Sequence, residues 1–315
     1  MNYPKYYIGP MSKNVVDAIL EYCGETGNTI GLIPSRRQIE YSGGYVNNWV
    51  TKDFVEYVNG QVLIKRDHSG PSQGYTNDDG FTSLKEDCKY LNMIHIDPWK
   101  KYPKYGEGLQ WTIDMIKFCY QENQNIEFEI GTEESIRRFE AHELDQLLID
   151  LHLKLPRELF KQIKYLVIQS GTSLKGNINT GDYDKDRLLG MIEIAKSWNL
   201  LSKEHNGDYI PASLIKEKID LGLDAINIAP EFGLIETLSY VHEGIDIDKF
   251  WKICYDSKRW EKWVDNNFDP YIQKLDLIKI CGHYVLSSKE FKMIKPNIDD
   301  IIKNNIKKKL NGLFT

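Results

Sequence analysis

The chain has no Cys-x-x-Cys pair, and its five cysteines, Cys23, Cys88, Cys119, Cys254 and Cys281, lie far apart along 315 residues. An odd, dispersed set is not a disulfide framework and suits a reducing cytosol. No stretch approaches the roughly 20 apolar residues that a spanning helix needs, and Met1 to Tyr7 is polar and aromatic with no apolar signal core behind it. A cytoplasmic protein with no membrane partner is therefore expected. Positive charge is also short: 40 Lys and Arg against 46 Asp and Glu leave a net charge of -6, opposite in sign to what nucleic-acid phosphates attract. No G-x-G-x-x-G follows the first strand-like run and no G-x-x-x-x-G-K-[ST] occurs anywhere, which speaks against a dinucleotide fold and a P-loop kinase. What is present is ordinary for a folded protein, with 41% hydrophobic and 27% charged residues, and excludes collagen-like and disordered classes.

Up to about Val241, short β-like runs alternate with helical patterns. The runs are Tyr6 to Ile8, Thr29 to Ile33, Val62 to Ile64, Met93 to Ile96, Ile126 to Ile130, Tyr165 to Ile168, Leu200 to Glu204 and Ala225 to Ile228. Apolar residues recur at helical spacing between them, as in Val15, Val16, Ile19 and Leu20 behind a candidate Ser12 cap. Eight such pairs over some 240 residues predict an α/β protein, a (β/α)8 TIM barrel over residues 1–241. Residues 242–315, with Trp251, Trp260 and Trp263 near their start and a basic end, read as a C-terminal helical extension that packs on the barrel.

Barrels of this kind place their chemistry at the carboxyl ends of the strands. Those ends read Arg66-Asp67-His68, His95-Ile96-Asp97, Glu129-Ile130-Gly131-Thr132-Glu133, Gln169-Ser170-Gly171, Glu204-His205 and, on the eighth strand, Asn227. Two histidines with carboxylates at one mouth suit a divalent metal, zinc above all, with an open coordination position. Each residue also has a plainer reading. Asp67-His68 can open a loop, His205 can sit in a turn, and Asp97 before Pro98 can mark an extended exit. Glu129 faces inward and needs a partner, Glu133 can favour a helix amino terminus, and Arg36 and Arg37 can be surface charge. Taken together these plainer readings must all hold at one end of one barrel.

The ordered motifs Gly43-Gly44-Tyr45, Asp67-His68-Ser69-Gly70-Pro71, Ile94-His95-Ile96-Asp97, Ile130-Gly131-Thr132-Glu133, Gln169-Ser170-Gly171 and Glu204-His205-Asn206-Gly207-Asp208-Tyr209 resemble the accessory, non-catalytic subunit family of class II D-tagatose-1,6-bisphosphate aldolase. The resemblance spans the chain and includes the tail around Phe250-Trp251-Lys252 and His283. The wider class II aldolases use a divalent metal to polarise a ketose phosphate carbonyl, with an aspartate moving a proton. The resemblance thus implies Asp67 as acid/base and His68 and His205 as metal ligands. It implies Glu129 as a carboxylate ligand with Glu133 competing, Asn227 as a substrate contact, and Ser170, Gly171 and Thr172 as a phosphate cradle. Asp97, Gln169, Arg66, Arg36 and Arg37 complete the expected substrate-binding set.

Two departures stand out. Gln169 occupies the place of a third metal-binding histidine on strand six, and Arg66 stands where the family tends to have glycine, which with Arg36 and Arg37 points to a substrate other than tagatose bisphosphate. The expected function is metal-assisted aldol cleavage or condensation of a phosphorylated sugar. The alternative is a non-catalytic subunit that stabilises a separate catalytic class II aldolase, or a homo-oligomer.

Overall fold

The computed structural model describes residues 3–315. Eight parallel strands close into a barrel: β1 (Tyr6–Ile8), β2 (Ile30–Leu32), β3 (Leu63–Ser69), β4 (Met93–Ile96), β5 (Glu127–Ile130), β6 (Ile163–Ile168), β9 (Leu201–Glu204) and β10 (Ala225–Ile228). The closing pair is β1 with β10, in register from Tyr6 and Ile226 to Ile8 and Ile228. Between β6 and β9 runs a small antiparallel hairpin, β7 (Leu174–Lys175) and β8 (Ile178–Asn179).

Helices α1 (Lys13–Thr26), α2 (Thr51–Val58), α3 (Phe81–Tyr90), α4 (Tyr105–Glu122), α5 (Ala141–Lys154), the single turn α6 (Arg157–Phe160), α7 (Lys185–Ser197), α8 (Ala212–Asp220) and α9 (Pro230–His242) form the outer ring. The first shows why sequence sets the bounds. The Ser12 side chain accepts the Val15 N–H at 3.1 Å, and Gly27 leaves the helix at φ 72, which glycine adopts without penalty. Val15, Val16, Ala18, Ile19 and Tyr22 are its buried face. The fifth helix starts only at Ala141, because residues 134–140 form a loop strapped by Gln169, which binds Phe139 N and Arg137 O.

The extension contributes α10 (Ile247–Asp256), α11 (Lys274–Cys281), α12 (Lys289–Ile294), α13 (Asp299–Phe314) and two 3-10 turns at Glu261–Trp263 and Gly282–Tyr284. It is tied to the barrel by apolar packing and charge. The last helix lies against α1 and α9, Tyr6 donates its hydroxyl to Leu313 O at 2.6 Å, and Lys303 and Lys307 each reach Glu21 at 2.8 Å.

Alternation along each strand divides the core in two. Outward residues such as Ile8, Leu32, Ile94, Phe128, Leu166 and Ile226 pack under the helices. Inward residues Tyr7, Ile33, Met93, Tyr165 and Ala225 fill the barrel itself. Tyr7 fits there because β2 offers Gly31, where a Cβ would lie 2.3 Å from the Tyr7 ring. No helix among the described residues is long and apolar enough to cross a membrane.

Candidate functional site

In β3 the same alternation sends Lys65 and Asp67 into the barrel and Arg66 out toward the helices. The ladder with β4 then shifts register between Arg66 and Ser69, and His68 takes φ 41. A bulky residue reaches that left-handed region only where its surroundings hold it there. The bulge turns Asp67 and His68 together to the carboxyl mouth. From β4, His95 points inward two residues after Met93; just past β9, His205 does so two residues after Lys203; and Asn227 comes from β10.

Asp67, His68, His95 and His205 each bring one donor atom to a common point, all within 4.8 Å of one another. The way the rings are held is as informative as their proximity. His68 Nδ1 bonds Asp97 Oδ2 at 2.7 Å, His95 Nε2 bonds Gly131 O at 3.0 Å, and His205 Nε2 bonds Glu129 Oε1 at 2.8 Å. An outer acceptor on one nitrogen orients each ring and turns its other nitrogen toward the cluster. These inner atoms are His68 Nε2, His95 Nδ1 and His205 Nδ1; His68 Nε2 and His205 Nδ1 lie 3.3 Å apart, and His95 Nδ1 accepts the His68 backbone N–H at 3.3 Å. Asp67 Oδ1 lies 4.0 Å from both His95 Nδ1 and His205 Nδ1, and it accepts Asn227 Nδ2 at 3.2 Å.

Charges around the cluster pull in opposite directions. Burial disfavours the His68 cation, yet Asp67, Asp97 and Glu133 outweigh it and push its pKa up to about 10. Burial pushes His95 down to about 3, with His205 and His68 adding to the effect. The mouth thus attracts a cation while His95 stays a neutral donor. Beneath it Glu129 is ion-paired to Lys65, with Lys203 Nζ 3.4 Å away and over the Tyr7 ring, all without solvent exposure. Burial alone would raise the Glu129 carboxyl, but the Lys203 and Lys65 ammoniums and the His205 ring hold it well below the usual range. Burial, with Lys65 nearby, drives Lys203 well below an ordinary lysine.

The other expected residues fall in different places. Glu129 is not among the converging donors: its carboxylate is taken by Lys65 and the outer nitrogen of His205. Glu133 lines the cleft and accepts Ser135 Oγ at 2.6 Å. Asp97 is buried behind His68, where it also accepts Gln73 Nε2 at 3.1 Å. Arg66 never reaches the mouth, because strand alternation aims it at Asp87 of α3 and at the Pro34 and Ile39 carbonyls. Arg36 is buried and spent on Glu40, Asp78 and Gly70 O. Gln169 ties down the 132–139 loop, donating to Thr132 O and Arg137 O and accepting from Phe139 N.

The expected phosphate cradle is already filled by the protein's own carboxylates. Ser170 and Thr172 donate their hydroxyls to Glu204, which Lys218 of α8 neutralises at 2.7 Å, and the Gly171 N–H donates to Glu134 at 3.0 Å. Arg37, by contrast, lines the cleft. His95, which lacked an assigned role in the sequence reading, supplies the third imidazole; its inward place two residues after Met93 is the signal that identifies it.

A cleft of about 490 Å3 opens above the cluster, walled by Asp67, His68, His205 and Asn227 below and by Lys262, Trp263, His283 and Tyr284 of the extension above. Comparison with family models finds no match, and neither does comparison with curated protein sequences. Solved structures do match. A probable tagatose 6-phosphate kinase from Sinorhizobium meliloti superposes with a TM-score of 0.74 at 13% identity, covering 99% of each chain. The YdjI aldolase of Escherichia coli K12 gives 0.56 at 11%, covering 99% of this chain and 91% of its own. The fructose-bisphosphate aldolase of Campylobacter jejuni gives 0.57 at 10%, covering 99% and 90%. The fold is the (β/α)8 barrel shared with these structures. At these identities the likeness speaks to the fold alone, and the chemistry has to be read from the mouth itself.

Proposed function

We propose that the protein is a metal-assisted aldol lyase acting on a phosphorylated sugar, with His68, His95 and His205 as metal ligands. The observation that carries this reading is the set of three imidazoles, each pinned through its outer nitrogen by Asp97, Gly131 O or Glu129, so that their inner nitrogens converge beside Asp67. Three imidazole nitrogens with room for a further ligand are the donor set of a catalytic zinc site, His68 giving up its proton as the metal binds. A divalent metal bound there supplies a Lewis acid that polarises a ketose carbonyl. Asp67, beside the imidazoles and oriented by Asn227, is placed to exchange a proton with the hydroxyl at the bond that breaks. The extension's Trp263, His283 and Tyr284 line the cleft over the cluster.

The non-catalytic subunit reading drew on Gln169 in place of a histidine. With His95 offering the third imidazole from the neighbouring side of the barrel, the enzyme reading has the better support. Cobalt or zinc titration tests it, one ion per chain being expected. His95→Ala should weaken metal binding at least tenfold, and Asp67→Asn should keep the metal while losing aldol cleavage of a ketose bisphosphate. Metal binding by His95→Ala equal to that of the parent, or cleavage that survives Asp67→Asn, overturns the assignment.

A further inference from the structure

One wall of the cleft carries positive charges that have no ion-pair partner. Arg37 follows β2, Lys100 follows β4, Arg259 lies between α10 and the 3-10 turn Glu261–Trp263, and Lys262 lies within that turn. Arg37, Lys100 and Lys262 line the same cleft as Asp67, His68 and His205. Among the described residues, none of these four cations, Arg37 and Arg259 half-buried and Lys100 and Lys262 exposed, has a carboxylate oxygen within 4.0 Å. The Arg36 beside them shows the contrast, being claimed by both Glu40 and Asp78 at 2.6 Å.

The unpaired side chains are also positioned. The Lys262 ammonium stands 4.2 Å from the Trp263 ring centroid and 5.5 Å from that of Tyr284. Arg259 stacks among Tyr45, Tyr75 and Tyr284 at 5.6, 5.2 and 5.6 Å, and Arg37 Nε is braced on Gly74 O at 3.1 Å. Desolvation at the cleft wall, with Arg37, Lys100 and Arg259 adding repulsion, brings Lys262 down to about 7 although the residue is exposed, and desolvation with Arg37 lowers Lys100 against the pull of Asp97 and Glu133. Like charges gathered in a concave wall repel one another until an anion joins them. The strand-six cradle that would otherwise hold a phosphate is closed to one, since Glu134 and Glu204 already occupy its donors.

We propose that Arg37, Lys100 and Lys262, backed by Arg259, form a phosphate-binding subsite that holds the phosphorylated end of the sugar, so that the C-terminal extension supplies part of the substrate's binding site. This rests on the reading of the cleft as the site of a phosphorylated sugar, and the two are separable by experiment. In chelator-stripped protein, where the imidazoles hold no metal, inorganic phosphate and a ketose phosphate are titrated against the fluorescence of Trp263, with the unphosphorylated ketose as the comparison. Both phosphates should bind saturably, the free ketose should not, and added salt should weaken the binding. Lys262→Met and Arg37→Met should each weaken it at least tenfold, and Lys262→Arg should restore it. Phosphate affinity that is absent in the parent, or unchanged in Lys262→Met and Arg37→Met, overturns the subsite. Phosphate binding that depends on these cations in a protein that takes up no metal and cleaves no sugar upholds the subsite and sinks the lyase reading instead.

Discussion

Replacing Glu129 by glutamine tests whether the charged middle layer of the barrel supports the metal cluster above it. Glu129 is the one anion shared by Lys65, Lys203 and the outer nitrogen of His205, in surroundings without solvent. At an effective dielectric of about 20, charges 3.4 Å apart, as Lys203 and Glu129 are, interact by about 5 kcal/mol. Glu129→Gln keeps the shape and one acceptor but removes that charge, leaving buried ammoniums uncompensated at a cost of roughly 3–5 kcal/mol. Lys203 limits the damage, because it is already held well below an ordinary lysine and can shed its proton. Lys203→Met is the informative partner. It deletes an ammonium that has no hydrogen-bond acceptor while Lys65 continues to pair with Glu129, so its effect should stay within about 1 kcal/mol in either direction. Urea unfolding of chelator-stripped protein at pH 7 reads both differences without a contribution from bound metal. Zinc competition against a chelator should then show Glu129→Gln weaker by about 10–100-fold, the usual consequence of losing a ligand's outer partner. A loss below about 1 kcal/mol for Glu129→Gln, or an equal loss for Lys203→Met, would refute the picture of one carboxylate holding the layer together.

Two further expectations concern residues away from the imidazoles. Gln169→Ala should leave zinc affinity within about twofold but cost roughly 1–3 kcal/mol by stranding Phe139 N and the Thr132 and Arg137 carbonyls; faster hydrogen exchange across 132–139 checks it, and a large loss of zinc binding contradicts it. Burial raises Glu236 from 4.5 to about 7 despite the donors Ser12 and Asn14, so the native state binds a proton that the unfolded chain releases, and stability should fall as pH rises from about 4.5 to about 7, by about 3 kcal/mol. Glu236→Gln, compared with the parent by urea unfolding at pH 5 and pH 8, should gain on it only at the higher pH, and an equal difference at both values would disprove the effect.

Much of this arrangement is written in the period of two along the strands. Counting eight β/α pairs locates the barrel and its mouth, and the histidines at the carboxyl ends of β3 and β9 are visible as strand ends. Alternation settles more than strand ends do: Met93 inward implies His95 inward, and Lys65 inward implies Arg66 outward, away from any substrate. Glu204, next to His205, faces out for the same reason, and the hydroxyls expected to cradle phosphate are drawn to it instead. What a linear pattern does not carry is the partner that each polar group finds. Gln169 looks like a lost metal ligand until the 132–139 loop is seen folding over it, and the extension looks like packing until Lys262 and Trp263 are seen in the wall of the cleft. The two observations bear on each other. On the proposed reading strand six, with Gln169 bound to the 132–139 loop and its hydroxyl and amide donors taken by Glu204 and Glu134, serves neither metal nor phosphate; β4 would supply the imidazole, and the extension with the β2 and β4 loops the positive charge. If that reading holds, substrate choice should follow the extension rather than the strands.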